Sequence, residues 1–97
     1  MRLRVTRRAA TQIEKALDHI EVESPQAANQ MRERIATLFR LLVQHPYAGQ
    51  ATDLSGVRRL AISPYPYLIF YRATDNEVIV QRVRHTSRRP FSAARAT

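Results

Sequence analysis

The chain has 97 residues, no cysteine, a formal net charge of +8 and a sequence pI near 11.3. Such a length fits one domain, the missing thiols exclude disulfides and thiolate metal sites, and no apolar run approaches the roughly 18 residues of a membrane span. A hydrophobic content of 44% is ordinary for a globular protein and speaks against a disordered chain. The opening residues Met1 to Val5 carry no apolar signal-peptide core. The expected compartment is therefore the cytoplasm, and no membrane partner is expected.

Met1 to Val5 reads as a short strand, with Leu3 and Val5 on one face and Arg2 and Arg4 on the other. Thr6 is placed to cap a helix. Ala10, Ile13, Leu17 and Ile20 then recur at intervals of three and four, which predicts an amphipathic helix ending near Val22. Ser24 followed by Pro25 marks a second helix start, because proline at the first helical position loses no needed N–H. The stripe of Ala28, Met31, Ile35, Leu38 and Leu42 defines its buried face. The helix must stop before Pro46, whose ring disfavours helical geometry at His45. So short a link between two helices predicts an antiparallel hairpin.

Tyr47 to Ser55 has no periodicity and reads as loop. Val57 to Ile62 reads as a strand, and Ser63 to Pro66 as a turn, since its two prolines are barred from a central ladder. Tyr67 to Ala73 is the most apolar strand and is expected at the sheet centre. Thr74, Asp75 and Asn76 form a hairpin turn, and Glu77 to His85 returns antiparallel. The expected fold is α+β with the order β-α-α-β-β-β: an N-terminal strand, then a helical hairpin packed on one face of a mostly antiparallel sheet. Residues 1–90 form the domain and 91–97 a basic tail. One helical layer leaves the second sheet face open, and Tyr67, Ile69 and Tyr71 are assigned to that face as candidate partner contacts.

The charge is segregated. Acids collect in the first helix (Glu14, Asp18, Glu21, Glu23), while from Arg82 to the end there is none. The cations are almost all arginine, with Lys15 the single lysine. Arginine offers a planar fork to phosphate and carboxylate. Arg82, Arg84, His85, Arg88 and Arg89 are therefore candidate target contacts, with Arg58 and Arg59 extending them from the neighbouring strand if register permits. The plainer reading of any single arginine is a solvated strand face. Asp18, Glu21 and Glu23 read as solvated helix face, so no metal or cofactor is expected. His19 reads as a surface residue and His45 as a helix-end residue.

Five stretches resemble, in order, the toxins of the ParE/RelE superfamily of type II toxin–antitoxin systems, and the ParE branch most. They are Ser24 to Ala28 opening the second helix, His45 to Gly49 after it, Gly56 to Leu60, Pro66 to Arg72, and Arg82 to His85. The resemblance implies a toxin held inactive by a ParD-like antitoxin in a hetero-oligomer. Released, ParE-like toxins act on DNA gyrase or its DNA complex and block replication. RelE-like relatives instead cut mRNA in the ribosomal A site.

Metal-free RNA cleavage needs a base, an acid and cations around the phosphorane. Nuclease-type relatives place an arginine just ahead of the apolar core of the central strand; here that position is Tyr67. They commonly carry an aromatic near the end of the last strand; here Thr86 and Ser87 follow His85. Arg58 and Arg59 stay protonated and cannot serve as a base. The expected function is thus a ParE-like gyrase inhibitor without catalytic residues. A ribosome-dependent mRNA endonuclease using Arg82, Arg84 and His85, and a non-toxic nucleic-acid-binding module, are the competing readings.

Overall fold

The computed structural model describes residues 1–86. Arg88, Arg89 and the tail 91–97 lie outside the described residues. Strand β1 runs over Arg2–Val5, helix α1 over Arg7–Glu23 and helix α2 over Pro25–Gln44. Four further strands follow: β2 (Gln50–Ala51), β3 (Val57–Ala61), β4 (Tyr67–Ala73) and β5 (Glu77–His85). They form one five-stranded sheet in the order β1-β5-β4-β3-β2, with β4 at its centre. β1 pairs with β5 in parallel and all other pairings are antiparallel.

The helix starts are those the side chains dictate. The Thr6 hydroxyl accepts from the Ala9 N–H at 3.1 Å, and the Ser24 hydroxyl accepts from the Ala27 N–H at 3.1 Å with Pro25 at the first helical position. Each satisfies a donor that the first helical turn leaves without an intrahelical partner. Along α2 the buried residues are Ala28, Met31, Ile35, Leu38 and Leu42. Along α1 they are Ala9, Ala16 and Leu17, flanked by the half-buried Ile13 and Ile20. Ala10 is exposed: the stripe runs through Ala9, one residue from the expected position.

The hairpin covers one sheet face, called here the front. Leu3, Val5, Val78, Val80, Val83, Tyr67, Ile69 and Tyr71 meet the helices there. This corrects the expectation that put Tyr67, Ile69 and Tyr71 on the open face. They are 7%, 0% and 0% exposed and belong to the core. The residues between them, Leu68 and Phe70, take the rear face together with Arg72.

The loop after α2 is also more ordered than its lack of periodicity suggests. Gln50 and Ala51 pair with Arg59 and Arg58. A Cβ on Gly49 would lie 2.6 Å from the Arg59 carbonyl oxygen and 2.8 Å from the Tyr71 hydroxyl, so only glycine lets the loop close on the sheet here. The Gly49 N–H donates to the buried Tyr71 hydroxyl at 2.8 Å. Burial raises the Tyr71 pKa above the ordinary phenol value, opposed by the Gly49 N–H and the Arg58 charge.

Candidate target-binding face

The last strand decides where its arginines go. Val78 and Val80 alternate toward the front, but the next valine to do so is Val83. A strict two-residue period would have turned Val83 to the rear. The register shows how both are accommodated: Tyr71 pairs with Val80 and Phe70 with Arg82, so one extra residue, Gln81, is bulged out of the ladder. Helix α1 pins the irregularity from both sides. The Thr6 hydroxyl donates to the Gln81 carbonyl at 3.2 Å, and the Val83 N–H donates to the Gln12 side-chain oxygen at 2.8 Å.

With that shift, Arg82 and Arg84 both face the rear. Arg59 lies across Phe70 from Arg82, since Phe70 pairs with both. The next row down reads Val57, Arg72, Ile79 and Arg4 across β3, β4, β5 and β1. Arg2 completes the edge column. Among the strand residues of this face Glu77 is the only acid, and it sits 3.5 Å from Arg4 at the sheet edge. A groove of about 380 Å³ opens here, lined by Arg8, Arg72 and Arg82 around Val57 and Phe70. Burial, and then the like charges of Arg8 and Arg84, lower the pKa of Arg82 below the usual guanidinium value.

Not all the sequence candidates converge. Arg59 joins the rear face, where its guanidinium donates to the Gln50 side-chain oxygen at 3.2 and 3.3 Å. Arg58, one residue away, points to the front. It donates to the Gly49 carbonyl at 2.8 Å and stacks over the Tyr47 ring with 5.1 Å to the centroid. Register therefore separates it from Arg82 and Arg84, and its geometry is that of a clamp on the loop. His85 also turns to the front, its ring 5.0 Å from that of Tyr67 in an edge-on contact.

His85 opens onto a second groove, of about 630 Å³, between α1 and the end of β4 and β5. Gln12, Lys15, His19 and Tyr67 line it with His85, and Arg84, which register puts in the rear-facing row at the strand end, also borders it. Lys15 and His19 are four apart on α1 and so share one helix face. Sequence reasoning set His19 aside as a surface residue and passed over Arg72, Arg4 and Arg8 on the rear. Among the described residues no cluster of three or more His, Asp or Glu could hold a metal ion. Among them, too, no helix is long and apolar enough to cross a membrane.

Residues 3–90 match the family model of the ParE toxin of the type II toxin–antitoxin system parDE. The chain belongs to the ParE toxin family. It is also 34% identical over 83 residues to the toxin RelE2 of Caulobacter vibrioides, covering 86% of this chain and 92% of that one. Among solved structures it resembles a chain of the chromosomal ParDE toxin–antitoxin system of P. aeruginosa. That superposition has a TM-score of 0.77 with 27% identity, over 90% of this chain and 97% of the other. YafQ from E. coli shares the fold at a TM-score of 0.61 and 14% identity, over 90% and 96% of the two chains. Membership of the ParE family makes this chain a ParE/RelE-type toxin, built on a scaffold that relatives named for either branch also use.

Proposed function

We propose that this toxin arrests DNA gyrase by binding, gripping its target with the arginines of the rear sheet face, and that a ParD-like antitoxin neutralises it by covering that grip. The observation that carries the reading is the convergence of Arg59, Arg72, Arg82 and Arg84 on one open face. Guanidinium groups there act as fixed cations with planar forks, and none can exchange a proton at neutral pH. A surface of this kind holds an anionic target through charge and shape. The proposed setting is the cytoplasm, in a hetero-oligomer with the antitoxin.

The test is a supercoiling assay with purified toxin. Inhibition that Arg82→Gln and Arg84→Gln weaken supports the reading. Unimpaired supercoiling together with cutting of mRNA on programmed ribosomes overturns it. That second outcome is the one the front groove favours: His85, His19 and Lys15 line it, and imidazole is the side chain most often used as a general acid or base. On that alternative, His85→Ala abolishes cutting while rear-face variants cut normally.

A further inference from the structure

The rear face is an array of cations two-dimensional in extent. Adjacent strands lie about 4.8 Å apart, so the Arg59–Arg82 and Arg4–Arg72 pairs, each spanning two strand spacings, stand roughly 10 Å apart at the backbone. Residues two apart on one strand, such as Arg82 and Arg84, are separated by about 7 Å. A partner that lies along one strand, as an extended acidic peptide does, meets a single file of these groups. A partner that carries anions on two files at once meets them all.

The apolar residues between the arginines narrow the choice further. Phe70 is 4% exposed and Val57 6%, so they fill the floor of the face without offering contact area. Leu68 and Ile79 are half-buried; Ile79 is flanked by Arg72 and Arg4, and Leu68 by Arg84 on one side and Ala61 on the other. An amphipathic peptide needs accessible apolar surface to bind against. What this face offers is charge, and the crowding of Arg8 and Arg84 around Arg82 is relieved by an anion placed among them.

We infer that the rear sheet face binds the phosphate backbone of double-stranded DNA directly, through Arg59, Arg72, Arg82 and Arg84. The inference rests on the assignment of this face as the target-gripping surface, and not on gyrase being the enzyme involved. It makes the toxin a contact to the DNA of its target complex. Binding through phosphates is independent of base sequence.

The experiment is a fluorescence-anisotropy titration of the purified full chain against a short labelled duplex of random sequence, repeated over a range of salt. If each of the four arginines neutralises one phosphate, the slope of log K against log salt is about −3.6. Raising salt from about 50 to about 200 mM then weakens binding about 150-fold. The double variant R59Q/R82Q is expected to bring the slope to about −1.8. The double variant R32Q/R40Q removes the same charge from the exposed side of α2 and is expected to leave the slope unchanged. Equal effects of the two variants would reduce the binding to net charge and overturn the inference. So would an undetectable affinity for duplex, or capture of a poly-glutamate peptide in its place with the same dependence on Arg59 and Arg82. Circular dichroism on each variant checks that it is folded. Duplex binding without inhibition of supercoiling leaves the inference standing and sinks the gyrase reading; inhibition without duplex binding does the reverse.

Discussion

On the front of β4, Tyr67, Ile69 and Tyr71 are sealed under the helices; on the rear of the same strand, Leu68 and Arg72 remain partly open. The neighbouring β5 repeats the contrast, with Val78, Val80 and Val83 inward and Arg82 and Arg84 outward. The front has the apolar contacts that hold the fold together. The rear has cations, exposed at Arg59 and half-buried at Arg72, Arg82 and Arg84, where acidic partners among the described strand residues are few. On the proposed reading, stability and target binding are divided between the two sides of one sheet. Substitutions can therefore separate them.

The largest effect is expected on the front. Leu42 is fully buried on α2. Leu42→Ala should cost about 2–5 kcal/mol, part transfer and part cavity, read as a lowered urea midpoint. Toxicity should fall only in proportion to the folded fraction. A loss of target binding in the fraction still folded would break the separation of the two faces.

Next comes Tyr71→Phe. It removes the acceptor of the buried Gly49 N–H and is expected to cost about 1–3 kcal/mol. The same hydroxyl sets a pH dependence. Its folded-state pKa lies above the unfolded value of about 10. In alkali the unfolded chain gives up the proton first, so it binds fewer protons than the native state and stability falls as pH rises. Its contribution is complete below about pH 10 and is lost through the folded-state pKa. Urea midpoints measured up to strongly alkaline pH should decline in the parent, and Tyr71→Phe should flatten part of that decline.

A third substitution tests the join between the faces. Gln12→Leu withdraws the acceptor from the Val83 N–H beside the bulge, at an expected cost of about 1 kcal/mol. Hydrogen exchange at the Val83 amide should accelerate more than at Val78. Because the bulge sets which way Arg82 faces, DNA or gyrase binding should weaken more than the stability change alone explains.

Much of this division was legible in the chain, and the failures have physical reasons. The helices announced themselves through Thr6, Ser24 and Pro25 and through the stripe from Ala28 to Leu42. β4 and β5 stood out as apolar runs closed by a turn. The facing of β4 was misread because Tyr67 to Tyr71 is apolar on both sides and shows no alternation. Arg72 held the answer: counting back in twos from its charge gives Phe70 and Leu68 as the rear set. The bulge was written in the spacing of Val78, Val80 and Val83, two then three. Arg58 and Arg59 looked alike, yet adjacent strand residues face opposite ways. β2 has two residues and carries no period of its own. The groove under His85 depends on how α1 lies on the sheet, which brings Lys15 and His19 to a strand far away in sequence.

The smallest expected change in stability carries the sharpest functional contrast. R59Q/R72Q replaces rear-face guanidiniums with shorter, neutral amides. Arg59 bonds Gln50 at the surface, and Arg72 packs over Gly56, whose φ of +78° already fixes the turn. Surface changes of this kind usually fall within about 0.5 kcal/mol, so the urea midpoint should barely move. Growth arrest on induction should nevertheless be lost, since each removed cation forfeits a contact that nothing else on the face replaces. If the variant is as stable as the parent and still arrests growth, the rear face is not the working surface, and the front groove with His85, His19 and Lys15 becomes the site to pursue. If arrest is lost while His85→Ala remains fully toxic, the sheet holds its shape with one side and its target with the other.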